Sequence, residues 1–289
     1  MSIKGRTLVA WPIVACICFA SVNISDATII TLNPEADSAM RDNAPDSNFG
    51  SNSSLPIGVA KNGGVHNRGL LRFDLTGIPA NASINSVTLS ITVTTDPTSP
   101  ANFDLKRVLQ NWDESQVTWN NRLDSTPWGI GGGLSGTDFF AVASATTQLS
   151  AGVKTFDSGG LISDVGAWVS DPTSNHGWIL MANNEATAGT GKQFASREDP
   201  DNTPVLTVDY DVPPPPASPN ITAVALVGNQ IRFSFFAEAE VGYSVDFRDS
   251  LTSGDWSLLT TIPASPDEGT VDITNTISST ERYFRVRTP

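Results

Sequence analysis

The sequence has little of what most catalytic and metal chemistry is built from. Two cysteines and two histidines occur in 289 residues. That scarcity argues against zinc ribbons, Cys–His proteases and disulfide frameworks. Positive charge is also scarce: 17 Lys and Arg stand against 30 Asp and Glu, a net charge of −13. A surface short of cations displaces few counterions from phosphates, so general nucleic-acid binding is disfavoured. No G-x-S-x-G elbow and no H-E-x-x-H string occurs, and each would have signalled a hydrolytic site. The sequence is instead rich in turn formers. It has 23 Gly and 19 Pro, with Ser, Thr, Asn and Asp filling much of the rest. That composition suits many short strands joined by turns better than helices.

Long apolar runs are missing apart from one at the start. Lys4 and Arg6 precede an apolar stretch from Leu8 to Val22, and Ser25-Asp26-Ala27 offers small residues where a signal peptidase reads. The run is shorter than the ~20 residues that span a bilayer. Residues 1–27 therefore read as a signal peptide cleaved after Ala27, and no membrane span remains. Ile13-Val14-Ala15-Cys16 loosely resembles a lipobox, but the chain stays apolar after Cys16, unlike a lipoprotein. Both cysteines, Cys16 and Cys18, lie in this leader. The mature chain is then secreted, extracellular or cell-surface, and cysteine-free, with 15 basic and 29 acidic residues. Its stability must come from packing and strand pairing, with bound calcium as a candidate.

Pro213-Pro214-Pro215-Pro216-Ala217-Ser218-Pro219 marks the clearest boundary, because successive prolines favour an extended spacer. We therefore divide the chain into the leader 1–27, a large module 28–211, a linker 212–219 and a small module 220–289. In the large module Val87, Leu89, Ile91 and Val93 alternate with Thr88, Ser90, Thr92 and Thr94, which is the period of a half-buried strand. Further strands are predicted from Thr28, Leu55, Gly69, Phe103, Gly177, Lys192 and Val205. Leu161, Val165, Trp168 and Val169 share a helical face and predict one short helix capping the sandwich. In the small module Gly228-Asn229 predicts a hairpin turn, followed by four more short strands. The fold class is all-β: a jelly-roll sandwich plus a smaller immunoglobulin- or fibronectin-III-like sandwich.

Five blocks of the large module resemble one family. The first is Ala36-Asp37-Ser38 with Asp46-Ser47-Asn48-Phe49-Gly50-Ser51-Asn52. The second is Leu71-Arg72-Phe73-Asp74-Leu75 with Ile78-Pro79 and Ile84. The third is Trp112-Asp113-Glu114 with Val117-Thr118-Trp119-Asn120-Asn121-Arg122. The fourth holds Phe156-Asp157, Val165, Trp168, Val169, Asn175 and Gly177. The last is Phe194-Ala195-Ser196-Arg197-Glu198 with Pro204-Val205-Leu206. In this order they resemble the DNRLRE-domain family, carbohydrate-binding module family 96. Leu123 stands where that family usually has Pro, and the Gly-rich stretch 129–136 looks like a local insertion. The resemblance implies a jelly roll that binds polysaccharide, with alginate-like acidic glycans known for the class. The small module resembles a C-terminal β module of secreted bacterial proteins with no assigned chemistry.

Candidate site residues follow. Asp37, Asp42, Asp46 and Asn48 offer oxygen ligands close in sequence, as calcium requires, but the same residues also build plain turns. Arg68 and Arg72 share one face of their strand, and Arg122 and Arg197 lie in later blocks. A guanidinium fork grips carboxylates or vicinal hydroxyls, so these four are candidate glycan contacts, although Arg72 and Arg197 read first as structural ion pairs with Asp74, Glu114 or Glu198. Trp128, beside the glycines, is the candidate sugar platform, with partial burial as the alternative. His66 and His176 read as surface or hydrogen-bonded residues. Asp113-Glu114 is the carboxylate pair to suspect of glycoside hydrolysis, although strand neighbours point to opposite faces. The expected function is non-catalytic binding of neutral or acidic polysaccharide. The alternatives are an extracellular structural or adhesion protein with protein partners, and a polysaccharide lyase or hydrolase.

Overall fold

The computed structural model describes residues 27–97, 99–252, 254–277 and 281–288. The leader read over residues 1–27 lies outside them apart from Ala27. The chain divides into two compact units, Met1–Pro213 and Pro214–Pro289.

The first unit is a β-sandwich. Its strands are β1 (Thr28–Leu32), β2 (Pro34–Arg41), β3 (Ser54–Val59), β4 (His66–Phe73), β5 (Ser83–Thr95), β6 (Ala101–Arg107), β7 (Asn121–Leu123), β8 (Thr126–Pro127), β9 (Ala145–Leu149), β10 (Gly152–Asp157), β11 (Trp178–Ala182), β12 (Lys192–Ala195) and β13 (Val205–Asp211). One layer pairs β1-β13-β5-β12, with β10 also on β5. The other pairs β2-β4-β11-β6-β9. Strand β3 joins the two layers: Leu55 and Ile57 pair with β12, whereas Gly58 and Val59 pair with β4. The strand turns at Gly58, where φ is +78° and a Cβ would lie 2.7 Å from the Thr190 carbonyl oxygen. Only glycine suits that corner.

The alternation in β5 buries Val87, Leu89, Ile91 and Val93 against Leu71, Phe73 and Trp178 of the facing layer. Each such side chain contributes about 1.5–3 kcal/mol of burial. Helix α1 (Gly159–Ser170) forms where its spacing predicts, with Ser158 accepting from the Leu161 N–H at its start. It buries Leu161, Val165, Trp168 and Val169, and Trp168 meets Trp178 edge-on at 4.7 Å between ring centroids.

A second core lies on the outward face of the β2-β4-β11-β6-β9 layer. Met40, Leu70, Ile179 and Met181 point outward there and are covered by Val108, Trp112, Val117, Trp128 and Phe139 from the long segment between β6 and β9. The apolar run Trp178-Ile179-Leu180-Met181-Ala182 is buried throughout, because its odd and even positions face different cores.

The second unit is also a sandwich. Its strands are β14 (Ile221–Val227), β15 (Gln230–Ala237), β16 (Tyr243–Arg248), β17 (Ser257–Ile262), β18 (Gly269–Thr276) and β19 (Tyr283–Arg287). They form two three-stranded sheets, β14-β15-β18 and β17-β16-β19. Phe233, Phe235, Tyr243, Val245 and Ile273 fill the space between. Gly228 takes φ +64° in the predicted hairpin turn.

Candidate functional site: a groove beside three arginines

The second core determines which arginines are accessible. Arg68 is committed to structure. Its Nε and Nη2 bind the Glu185 carboxylate at 2.9 and 2.6 Å, and Nη1 donates to the Gly132 and Gly133 carbonyls. Its guanidinium also lies over the rings of Trp119 and Phe139. Trp128 is 5% exposed, with its indole N–H donated to the Thr118 carbonyl. The candidate sugar platform takes its alternative, burial: it is a wall of the second core, since outward Leu70, Ile179 and Met181 need an apolar cover. The Gly-rich stretch belongs to the same cover. Trp119 packs where a Cβ on Gly132 would stand, 2.7 Å from its ring.

Arg197 is also a structural tie. Nη1 donates to the Glu35 carbonyl and to Glu114 Oε2 at 2.9 Å, and Nε lies 3.4 Å from Glu198 Oε1. The suspected hydrolytic pair is likewise engaged: Asp113 Oδ1 accepts from the Ser115 N–H and hydroxyl, and Glu114 holds Arg197.

Arg72 and Arg122 remain. Arg72 reaches a groove of about 820 Å³ whose walls include Glu35, Asp74, Thr76, Asn111, Thr173 and His176. The volume falls in the range of small-ligand sites, ~300–1,000 Å³. Arg72 donates Nη1 to the Trp112 carbonyl at 3.0 Å and lies 5.1 Å from that ring's centroid. Its ion pair with Glu35 is long, at 3.4 Å. Arg122 donates Nη1 to the Asn111 carbonyl at 2.9 Å and forms no ion pair among the described residues. His176 is anchored through its backbone, which accepts the Trp112 indole N–H at 2.8 Å. Burial first, then the charges of Arg72, Arg107 and Arg122, hold its imidazole below the ordinary histidine pKa. Three arginines thus act on one neutral imidazole in an acidic protein. The groove's apolar floor, including Ile78 and Trp168, belongs to the core. Recognition here would rest on hydrogen bonds and charge, not on ring stacking.

The four expected calcium ligands are not brought together. Asp42 binds His66 Nδ1 at 2.8 Å, and Asp46 accepts from the Asn120 amide at 2.8 Å. Asn48 donates to the Glu114 and Val117 carbonyls. Asp37 is linked to Asn48 only through Glu114, whose Oε1 accepts the Asp37 N–H. It sits on the parity of β2 that faces the main core with Ala39, and Glu114 and Glu198 come close to it. Desolvation above all, and then these two carboxylates against the opposing Arg197 contacts, pushes the Asp37 pKa up to about 8. The sequence analysis missed this trio because its members lie on β2 and on two distant loops. The one signal was that Glu114 and Glu198 each end the first string of a block of the family resemblance.

Residues 28–126 match the model of carbohydrate-binding module family 96, which bears out the resemblance over that range and points to carbohydrate binding. The matched range holds Glu35, Arg72, Asn111 and Arg122, whereas His176 and Arg197 lie beyond it. No curated protein matches the chain. No helix among the described residues is long and apolar enough to cross a membrane.

Proposed function

We propose that the protein is a secreted, non-catalytic polysaccharide-binding protein whose glycan site is the groove lined by Arg72, Asn111 and His176, with Arg122 beside it on the Asn111 carbonyl. The family match over residues 28–126 carries the reading. The groove supports this reading, because the Arg72 guanidinium, held by one long ion pair with Glu35, stands there among hydrogen-bonding side chains and suits the carboxylates and vicinal hydroxyls of an acidic glycan. The unit after Pro213 serves as a spacer or attachment module, and its paired three-stranded sheets support a fibronectin-III-like reading. Calcium, if bound, plays a structural role.

Affinity electrophoresis of the full chain through gels containing a uronic-acid polysaccharide or a neutral glucan tests this. The acidic polymer should retard the protein, and Arg122→Ala should abolish most of the retardation with an unchanged melting temperature, since among the described residues that guanidinium makes one hydrogen bond and no ion pair. Failure of every polysaccharide to retard the protein would leave an adhesion or structural role. New reducing ends or unsaturated products would show that it is an enzyme.

A further inference from the structure

Asp37 is fully buried. Its Oδ2 accepts the Arg197 backbone N–H at 2.7 Å, while its Oδ1 has no hydrogen-bond partner. One carboxylate oxygen each from Asp37, Glu114 and Glu198 lies within 4.8 Å of the others. Glu114 is fixed by the Asp37 N–H on Oε1 at 2.8 Å and by Arg197 on Oε2. Glu198 is fixed by the Ser196 hydroxyl on Oε2 at 2.9 Å. Two of the three carboxylates share one guanidinium, the third takes only a backbone N–H from the same residue, and its other oxygen sits buried without a donor. Such groups persist where a proton or a cation compensates them.

We propose that Asp37, Glu114 and Glu198 bind one divalent cation of the calcium class, with Asp37 Oδ1 as the innermost ligand. The donors are all oxygens, which select hard cations over zinc or copper. Two oxygens on opposite sides of calcium stand ~4.6–5.2 Å apart, and the trio's spacing of at most 4.8 Å fits that span. Arg197 bridges Glu114 and Glu198 from its own side, so the cation takes the lone pairs that the guanidinium leaves free. The site joins β2, the segment after β6 and the loop after β12, which no strand pairing connects.

Calorimetric titration and thermal unfolding of the chelator-stripped full chain test the proposal, with calcium chloride and magnesium chloride as probes. One calcium should bind per chain and raise the melting temperature by several degrees. Glu198→Gln keeps the side chain's volume and should weaken binding about tenfold or more. No heat and no shift at millimolar calcium would overturn the proposal and assign the compensation to a proton on Asp37. So would binding that survives in Glu198→Gln and Glu114→Gln but is lost in Asp46→Asn. That result would place the ion in the shallow cavity lined by Asp46, Asn48 and Asp124.

Discussion

His176 shows how far a residue's chemistry depends on neighbours distant in sequence. In the free protein its imidazole is neutral at pH 7, because burial and three arginines disfavour its protonation. The unfolded chain protonates it near pH 6.5. As pH falls through that value the unfolded state takes up the proton first, and the native state loses stability. A glycan carboxylate placed beside His176 reverses the balance, raises its pKa and makes binding take up a proton. Affinity for an acidic polysaccharide should therefore rise as pH falls from 7.5 to about 6, with proton uptake visible as buffer-dependent heat. A neutral glycan should show no such trend, and His176→Asn should flatten it. None of this was legible in the sequence. A lone histidine in a turn gives no hint of Arg72, Arg107 and Arg122. Asp37 was legible as an acid, but its partner Glu114 stands 77 residues away.

Among the elements, regular patterns could be read and irregular ones could not. The alternation of β5 and the helical face of α1 each predicted an observed element, because one strong local period dominated. Strand β2 begins Pro-Glu-Ala-Asp and has no such period; only the first block of the family resemblance marked that stretch. It runs along the edge of its layer, where Pro34 costs no ladder bond. In the covering segment between β6 and β9 the sequence left Trp128 open between a sugar platform and partial burial. The segment's folding depends on apolar side chains from strands far away, although the unbroken apolar run of β11 already signalled that both faces of that strand are covered. Truncating Trp128 tests the assignment. Trp128→Ala should cost about 3–5 kcal/mol, as removal of a large buried side chain does, seen as a lower denaturation midpoint. A sugar platform would instead lose affinity at unchanged stability.

For the whole molecule, composition settled the class early: an all-β chain with few ionic groups and many turn formers. Net charge was the less informative quantity. A total of −13 describes the average surface, while Arg72, Arg107 and Arg122 converge on one imidazole. Stability, too, varies from place to place. The backbones of β4 and β11 are paired along both edges and lie between two apolar cores. By contrast, Ile29 on β1 and Val153 on β10 are each 67% exposed. This difference should show as a spread of timescales. In deuterated solvent the amides of β4 and β11 should be the last of the first unit to exchange, at rates that report its global opening, while those of β1 and β10 exchange through local fraying. A covering layer that adds no strand to the sandwich would thus set the slowest clock in the unit.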